Sequence, residues 1–169
     1  MRLCVSDTLI TVKHGQQHLF LKGDSPLSNT KVKILTRSLI EDMGDDGLTE
    51  SSEKTEGRAE GLLSKSDSDL TIKYTEETKD AKVFTEITVS EKKVKVSKSG
   101  DLRYTFVFSE GETTAAVYSV PPYSFDAEIY TRRIRSSLTA DGGELTLIYD
   151  LTIGGARKKT KMNIYVSKE

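Results

Sequence analysis

The segment Leu145-Thr-Leu-Ile-Tyr-Asp-Leu-Thr-Ile153 alternates between two kinds of residue along its whole length. Four aliphatic residues and Tyr149 occupy its odd-numbered positions, whereas threonine and aspartate occupy most of the positions between them. A period of two is that of a β-strand with one face against a core and the other towards solvent. The segment therefore predicts a half-buried antiparallel strand.

The same alternation continues through most of the chain from residue 31 onward, and no helical stripe longer than about three turns interrupts it. Leu102–Phe108 and Phe125–Thr131 repeat it most clearly. Weaker versions predict strands at Lys31–Ile40, Arg58–Leu63, Leu70–Tyr74, Val83–Val89, Val94–Lys98, Thr113–Tyr118, Arg133–Leu138 and Lys161–Val166. The sequence thus predicts an all-β chain of about ten or eleven strands.

Short turn signals separate these strands, and Gly154–Gly155 is a candidate for a two-residue hairpin. Short links favour antiparallel neighbours, and closure of the sheet removes exposed edges. We therefore expect an antiparallel up-and-down β-barrel of about 8–10 strands, with a two-sheet sandwich as the alternative.

Residues 1–30 form a separate region in this interpretation. Leu9–Val12 and His18–Leu21 could pair around Gly15, and Gly23–Thr30 reads as a linker. We expect an N-terminal β-like arm and linker at 1–30 and the barrel domain at 31–169. The arm is an appendage, a strand pair that caps one barrel end, or a disordered segment.

The composition describes one soluble domain of 169 residues with a net charge of −1. Cys4 is the only cysteine and cannot form an intramolecular disulfide. The apolar runs are far shorter than the roughly 20 residues of a membrane-spanning helix, and the start lacks a secretory signal pattern. We expect a cytoplasmic protein that binds no membrane.

Basic residues concentrate at Arg132–Arg135 and Arg157–Lys161, where neighbouring strands could merge them into one patch. Charges on outward strand positions usually protect edges and maintain solubility. The tyrosines are not arranged in any nucleic-acid-binding signature. We therefore expect no nucleic acid as a partner.

Four stretches carry a resemblance to a known family. They are Phe106–Glu112, Tyr118–Phe125, Thr131–Ile134 and Gly143–Gly154. Upstream, Glu60–Leu63 and Ile72–Glu76 are similar to the early strands of the same family, and the similarity covers roughly residues 31 to 168. The chain resembles the YwiB-like family of bacterial domains of unknown function. The resemblance implies a calycin-like, lipocalin-type β-barrel from a bacterial cytoplasm, with no activity established for the family and no catalytic residue to carry over.

The chain departs from this family in one loop. It has Val120-Pro-Pro-Tyr-Ser124 where the family typically carries a Thr-Pro-Tyr-Gly run. Because glycine often supplies a positive φ in such a turn, the local backbone is expected to differ here.

Catalytic chemistry is not predicted. Nucleophilic serine and cysteine systems need a nearby imidazole, yet Cys4, His14 and His18 all precede the barrel. Pairs of carboxylates could hydrolyse glycosides, but the alternation places Asp126 and Asp150 opposite the apolar face. We expect no catalytic residues and no cofactor.

Two patterns resemble metal sites. His14 and His18 have the spacing of a helical zinc pair but lack a third ligand. Asp42–Glu53 matches several positions of a calcium loop but lacks flanking helices. We expect no metal site, and we interpret the second pattern as a solvated acidic loop between the first two barrel strands.

The segment Tyr118-Ser-Val-Pro-Pro-Tyr-Ser-Phe125 is the strongest candidate for a site. Two prolines stiffen a loop that holds aromatic side chains, which suits a barrel mouth. The alternative is a rigid turn whose aromatic residues plug the barrel. The candidate ligand-binding residues are Tyr104, Phe106, Tyr118, Tyr123, Phe125 and Tyr149.

Two hypotheses of function follow. The first is a noncatalytic barrel that binds a small apolar ligand in its interior. The second is a structural or protein-interaction module whose barrel is filled by its own side chains. In the second, the N-terminal arm or a strand edge docks either a partner protein or a second copy of the chain, and the second copy would form a homodimer.

Overall fold

The computed structural model describes residues 28–169 and contains ten β-strands and no helix in this part of the chain. The strands are β1 (Thr30–Met43), β2 (Thr49–Lys65), β3 (Leu70–Glu77), β4 (Lys82–Val89), β5 (Lys93–Gly100), β6 (Tyr104–Ser109), β7 (Thr113–Val120), β8 (Tyr123–Ser136), β9 (Gly142–Ile153) and β10 (Ala156–Lys168). Across residues 28–169 there is accordingly no helix of the length and apolar character needed to cross a membrane.

All ten strands belong to one antiparallel sheet in the order β6-β5-β4-β3-β2-β1-β10-β9-β8-β7. The first and last strands pair with each other over twelve residue pairs, from Val32–Lys168 to Met43–Arg157. The sheet curls so that β6 meets β7, where Arg103 and Ser119 exchange two backbone hydrogen bonds of 2.9 and 2.8 Å. The protein is therefore a nearly closed antiparallel β-barrel, as predicted from the sequence.

The seam between β6 and β7 is joined more weakly than the other strand pairs. Besides the Arg103–Ser119 bridge, the hydroxyl of Thr114 donates a hydrogen bond of 2.6 Å to the carbonyl of Val107. Below it, Gly111 and Thr131 connect the β6–β7 turn to β8 through backbone hydrogen bonds. Closure at the seam thus depends on a few bonds rather than on a continuous ladder.

One prediction about the strands is wrong. The stretches 125–131 and 133–138, predicted as two strands, form the single strand β8, which ends at Ser136. The register with β9 shifts between Thr131 and Arg133, which is typical of a β-bulge. The extra residue shifts the inward-facing positions by one, although the backbone remains extended. The alternation of apolar and polar residues is therefore broken at this point and suggests two strands where there is one.

The predicted hairpin at Gly154–Gly155 is confirmed. Both glycines have positive φ angles, 54° and 85°, and Ile153 pairs with Ala156 across the turn. A two-residue turn with two positive φ values matches the right-handed twist of the flanking strands. This turn, together with those at 44–48, 78–81, 101–103 and 121–122, defines one end of the barrel, which we call the mouth.

The lumen away from the mouth is filled by side chains. Seven inward side chains have no exposed surface, namely those of Val32, Ile72, Ile129, Thr131, Leu145, Leu147 and Ile164. A void large enough for one water molecule would give its lining residues accessible surface, so none adjoins these seven residues. We call this region the filled core.

The acidic stretch Asp42–Glu53 is mostly strand rather than the predicted loop, because only residues 44–48 lie outside β1 and β2. Asp42 accepts a hydrogen bond of 2.7 Å from Ser51 and pairs with Lys158. β3 pairs with β2 only from Gly61 onward, which leaves residues 49–60 with β1 as their partner. Residues 1–27 of the predicted arm lie outside the described residues, and Cys4, His14 and His18 are among them.

Candidate functional site

A layer of tyrosines lies between the filled core and the mouth. Tyr74 and Tyr149 point into the lumen and are 8% and 5% exposed. Tyr104 and Tyr118 face the same space and remain partly accessible to solvent. Alternation places all four on the inner face of their strands, in phase with core residues such as Ile72 and Leu147.

Aromatic ring contacts link this layer to the filled core. The ring of Tyr104 stacks on that of Tyr118 at 5.7 Å and on that of Phe106 at 4.0 Å. Phe106 contacts Phe108 edge-on at 6.4 Å, and Phe108 contacts Tyr149 at 4.9 Å. Since stacked and edge-on rings hold one another in place, these five residues form a rigid aromatic floor and wall below the mouth.

An ion pair points into the lumen beside the tyrosines. Glu76 on β3 follows the inward phase of Ile72 and Tyr74, and Lys98 on β5 lies directly opposite Thr85 and Tyr104. The ammonium of Lys98 lies 2.5 Å from Oε2 of Glu76. Thr85 donates a hydrogen bond of 3.0 Å to the same oxygen.

The two charged side chains differ in their access to solvent. The side chain of Lys98 is 16% exposed and that of Glu76 is 34% exposed. Partial burial of a charge is tolerated when it is paired and hydrogen-bonded. The lumen below the mouth therefore contains a partly buried pair of opposite charges next to aromatic rings.

The pKa values of the tyrosines reflect this crowding. Burial raises the pKa of Tyr149 to about 12, although a hydrogen bond with Thr160 opposes part of the rise. Burial also raises the pKa of Tyr104 well above its usual value, with smaller contributions from Tyr149, Tyr74, Glu76 and Tyr118. The strand register agrees, because Tyr74, Glu76, Tyr104, Tyr118 and Tyr149 all share the inward phase of their strands.

Alkaline pH is expected to destabilise the fold through Tyr149. Tyrosines of the unfolded chain ionise near pH 10, whereas Tyr149 in the folded state ionises near pH 12. The raised pKa therefore contributes full stability below about pH 10, and this contribution is lost as the pH rises through 12. Urea unfolding at pH 8 and pH 11 should show a smaller fall for Tyr149→Phe than for the wild type. An identical fall in both proteins would contradict the assignment.

The hairpin of β7 and β8 extends past its neighbours at the mouth. The pairing of β8 with β9 begins only at Ala127, so residues 123–126 project beyond the end of β9. Val120, Tyr123 and Phe125 lie in the inward phase of this hairpin and are 44%, 67% and 44% exposed. Thr113–Phe125 is also the longest stretch of the chain without an acidic or basic residue. The hairpin thus presents an apolar face towards the mouth.

The predicted site residues therefore fall into two groups. Tyr104, Phe106, Tyr118 and Tyr149 join through the ring contacts above, with Phe106 buried in the filled core. Tyr123 and Phe125 lie farther out on the hairpin, and no ring contact within residues 28–169 joins them to the other four.

The sequence interpretation missed Tyr74, Glu76 and Lys98. A signal for them was present, because Ile72-Lys-Tyr-Thr-Glu76 and Val94-Lys-Val-Ser-Lys98 keep a strict two-residue phase. A charged residue in phase with the apolar positions of a strand points into the barrel. Such residues are rare in cores and mark candidate sites.

The outward carboxylate of Asp150 has a structural partner. Asp150 accepts two hydrogen bonds from Arg132, of 2.8 and 2.6 Å, on the outer face of the barrel. This pair also neutralises part of the basic region noted in the sequence. The contact of Lys158 with Asp42 neutralises a further part, but these two residues lie in the inward phase of β10 and β1, near the mouth. Among residues 28–169, no three side chains of the metal-ligating types cluster closely enough to hold an ion.

A concave surface lies on the outer face of β10, β1 and β2. It has a volume of about 520 Å³ and is lined by Leu35, Tyr165 and several charged side chains, including Arg58. Arg37 lies 5.9 Å from the centre of the Tyr165 ring. This open groove provides a tyrosine outside the barrel for comparison with those at the mouth.

Comparison with models of protein families identifies the family to which the chain belongs. The model of a domain of unknown function, DUF1934, matches residues 25–164. The chain belongs to the DUF1934 family. This DUF1934 protein is similar to the "Uncharacterized beta-barrel protein YwiB" of Bacillus subtilis (strain 168), with 29% identity over 125 residues, which cover 74% of this chain and 84% of that protein.

Comparison with solved structures agrees with this family assignment. The crystal structure of the ywiB protein from Bacillus subtilis aligns with this DUF1934 chain with a TM-score of 0.71 and 27% identity. The alignment covers 83% of this chain and 93% of the other. The family resemblance seen in the sequence and the β-barrel fold are therefore confirmed.

Proposed function

We propose that this protein binds a small amphipathic molecule at the mouth of its barrel and does not transform it chemically. The observation that carries the proposal is the inward Glu76–Lys98 pair, which remains partly accessible to solvent beside Tyr104 and Tyr118. Ligand sites in proteins are concave and largely apolar, with a few polar groups that fix orientation.

The filled core changes the kind of ligand that the sequence suggests. A purely apolar molecule would need space among residues such as Leu145 and Leu147, which have no exposed surface. Beside the aromatic rings, the accessible part of the lumen instead presents the carboxylate of Glu76 and the ammonium of Lys98. A ligand with a flat apolar body and a polar head matches these surroundings.

The absence of a chemical step is part of the proposal. Residues 31–169 contain no histidine and no cysteine, so the barrel offers neither an imidazole base nor a thiol nucleophile. Glu76 is hydrogen-bonded to Lys98 and Thr85 through one oxygen. These bonds orient the carboxylate for recognition.

Binding of the neutral fluorescent probe N-phenylnaphthylamine tests the site. We expect one probe per chain, and we expect Tyr118→Ala to weaken binding by about tenfold. A lost aromatic contact and its buried area together cost about 1.4 kcal/mol, which corresponds to this factor. Because the chain lacks tryptophan, quenching of tyrosine emission reports the same event independently.

Tyr165→Ala is the matched control, since it removes the same side chain from the outer groove. It should bind the probe as the wild type does. Equal weakening by both variants would place the probe elsewhere, and the absence of binding to the wild type would overturn the proposal. Native mass spectrometry of the protein as purified would additionally reveal a bound natural ligand.

A second candidate function is a structural or protein-interaction module. One observation favours it: residues 49–60 of β2 form a strand edge with β1 on one side only. Such edges can accept a further strand from a partner or from a second copy. Their dense charges, with six acidic or basic residues in this stretch, protect against that association. Sedimentation of the full chain over a range of concentrations tests whether this edge pairs with a second copy. Self-association that rises with concentration would support such pairing, and a constant monomer mass would count against it.

A further inference from the structure

We propose that the polar head of the ligand is electrically neutral and presents a hydrogen-bond donor beside an acceptor, as a carboxamide or the edge of a heteroaromatic base does. This inference rests on the proposed binding function and specifies its ligand class. It derives from the juxtaposition of Glu76 and Lys98 on the inner face of the barrel, next to the stacked rings of Tyr104 and Tyr118.

Lys98 supplies the donor side of this arrangement. An ammonium group has three N–H donors. Within the described part of the chain, the hydrogen bond of Lys98 goes to Oε2 of Glu76. Its side chain is 16% exposed, so Lys98 is mostly enclosed by the barrel. A ligand carbonyl or ring nitrogen in the lumen would accept a hydrogen bond from one of its remaining N–H donors.

Glu76 supplies the acceptor side. Its Oε2 receives the hydrogen bonds from both Lys98 and Thr85. Over residues 28–169, no hydrogen bond reaches Oε1 of the same carboxylate, and the side chain is 34% exposed. A ligand N–H at the mouth could therefore bond to Oε1 without displacing the existing partners.

The charge balance of the pair selects a neutral head. A ligand carboxylate would have to compete with Glu76 for Lys98 and would lie beside a like charge. A ligand ammonium would face the same conflict with Lys98. Removal of an ion from water is costly unless it is fully paired, and both partners here are already paired. A neutral donor and acceptor add to the pair and leave it intact.

The neighbouring rings favour a flat body for the ligand. Tyr104 and Tyr118 lie nearly parallel, with 17° between their planes, on the strands that follow Lys98 around the barrel. Flat rings pack well against such a wall in offset stacking. The apolar face of the β7–β8 hairpin continues this wall towards solvent.

Three isosteric probes test the inference by displacement of N-phenylnaphthylamine. Naphthamide carries a donor and an acceptor, naphthoate carries acceptors and a negative charge, and naphthamidine carries donors and a positive charge. We expect naphthamide to bind about tenfold more tightly than either ion, because each ion leaves one member of the pair opposed or unmatched.

Two substitutions should reverse the order of binding. Lys98→Met leaves the carboxylate of Glu76 without its partner, so the variant should prefer naphthamidine. Glu76→Gln leaves the ammonium of Lys98 without its partner, so the variant should prefer naphthoate. The two variants make opposite predictions, and either one is sufficient if the other does not fold.

The outer pair of Lys73 and Glu86 provides the control. These residues lie on β3 and β4, form an ion pair of 2.9 Å, and point away from the lumen. Lys73→Met and Glu86→Gln should keep the preference for naphthamide. The wild type could bind the fluorescent probe at a Tyr118-dependent site and yet prefer naphthoate or naphthamidine, or show no preference. That result would overturn the inference of a neutral head and leave the proposed binding function intact. If no probe binds, both fail.

Discussion

Phe108→Ala is expected to lower the free energy of unfolding by about 3–5 kcal/mol, the range typical of a phenylalanine removed from a well-packed core. The ring of Phe108 is 2% exposed and contacts both Phe106 and Tyr149. Ten strands held around the lumen cannot easily collapse onto the space left behind, so most of the cavity should persist. Urea denaturation at neutral pH measures the loss.

Phe84→Ala is the control for this measurement. Phe84 lies on the outer face of β4 and is 51% exposed, with the ammonium of Lys82 5.7 Å from its ring centre. Substitutions at exposed positions usually change stability by about 0.5 kcal/mol or less. A loss at Phe108 no larger than that at Phe84 would mean that the lumen is loosely packed, contrary to its lack of accessible surface.

The second large effect is expected for Gly61→Ala, which should cost about 3 kcal/mol. Gly61 lies on the inner face of β2 and is the first residue of this strand to pair with β3, opposite Tyr74. A methyl group here would collide with the backbone carbonyl of Lys73 and lie 2.7 Å from Cδ1 of Ile34. The clash with backbone cannot be relieved by a side-chain rotation, so the strands must move apart.

Gly57→Ala, four residues earlier on the same strand, separates this clash from the general effect of replacing glycine. Its added methyl would contact the hydroxyl of Thr36 at 2.8 Å, and this side chain can rotate away. We expect Gly57→Ala to cost less than about 1 kcal/mol by thermal or urea unfolding. Similar losses for the two variants would show that the approach of β3 to β2 is not tight at Gly61.

The sequence predicted the inner and outer faces of the strands well. The inward positions Tyr104, Phe106 and Phe108 and the odd-numbered residues of β9 all lie on the core side, because a period of two is a local property of the chain. The paired glycines at 154–155 likewise identified their turn from local backbone preferences. These features need no knowledge of distant residues.

Other features depended on contacts that alternation does not encode. The pairing of β1 with β10 joins residues more than a hundred positions apart, and the seam between β6 and β7 follows a turn that looks like the others. Whether the lumen is hollow depends on the summed volume of side chains from all strands. The site was predicted in part, because aromatic residues were considered while in-phase charges at Glu76 and Lys98 were not.

The pairing of the first strand with the last also constrains how the barrel assembles. During synthesis, β1–β6 can form one meander and β7–β9 another, since each uses only neighbouring strands. The two parts share a continuous sheet only after β10 has paired with both β1 and β9. Closing such a long loop carries a high entropic cost that is recovered late in folding. Before β10 has paired with both of its neighbours, we therefore expect two separate sheets with open edges and no barrel.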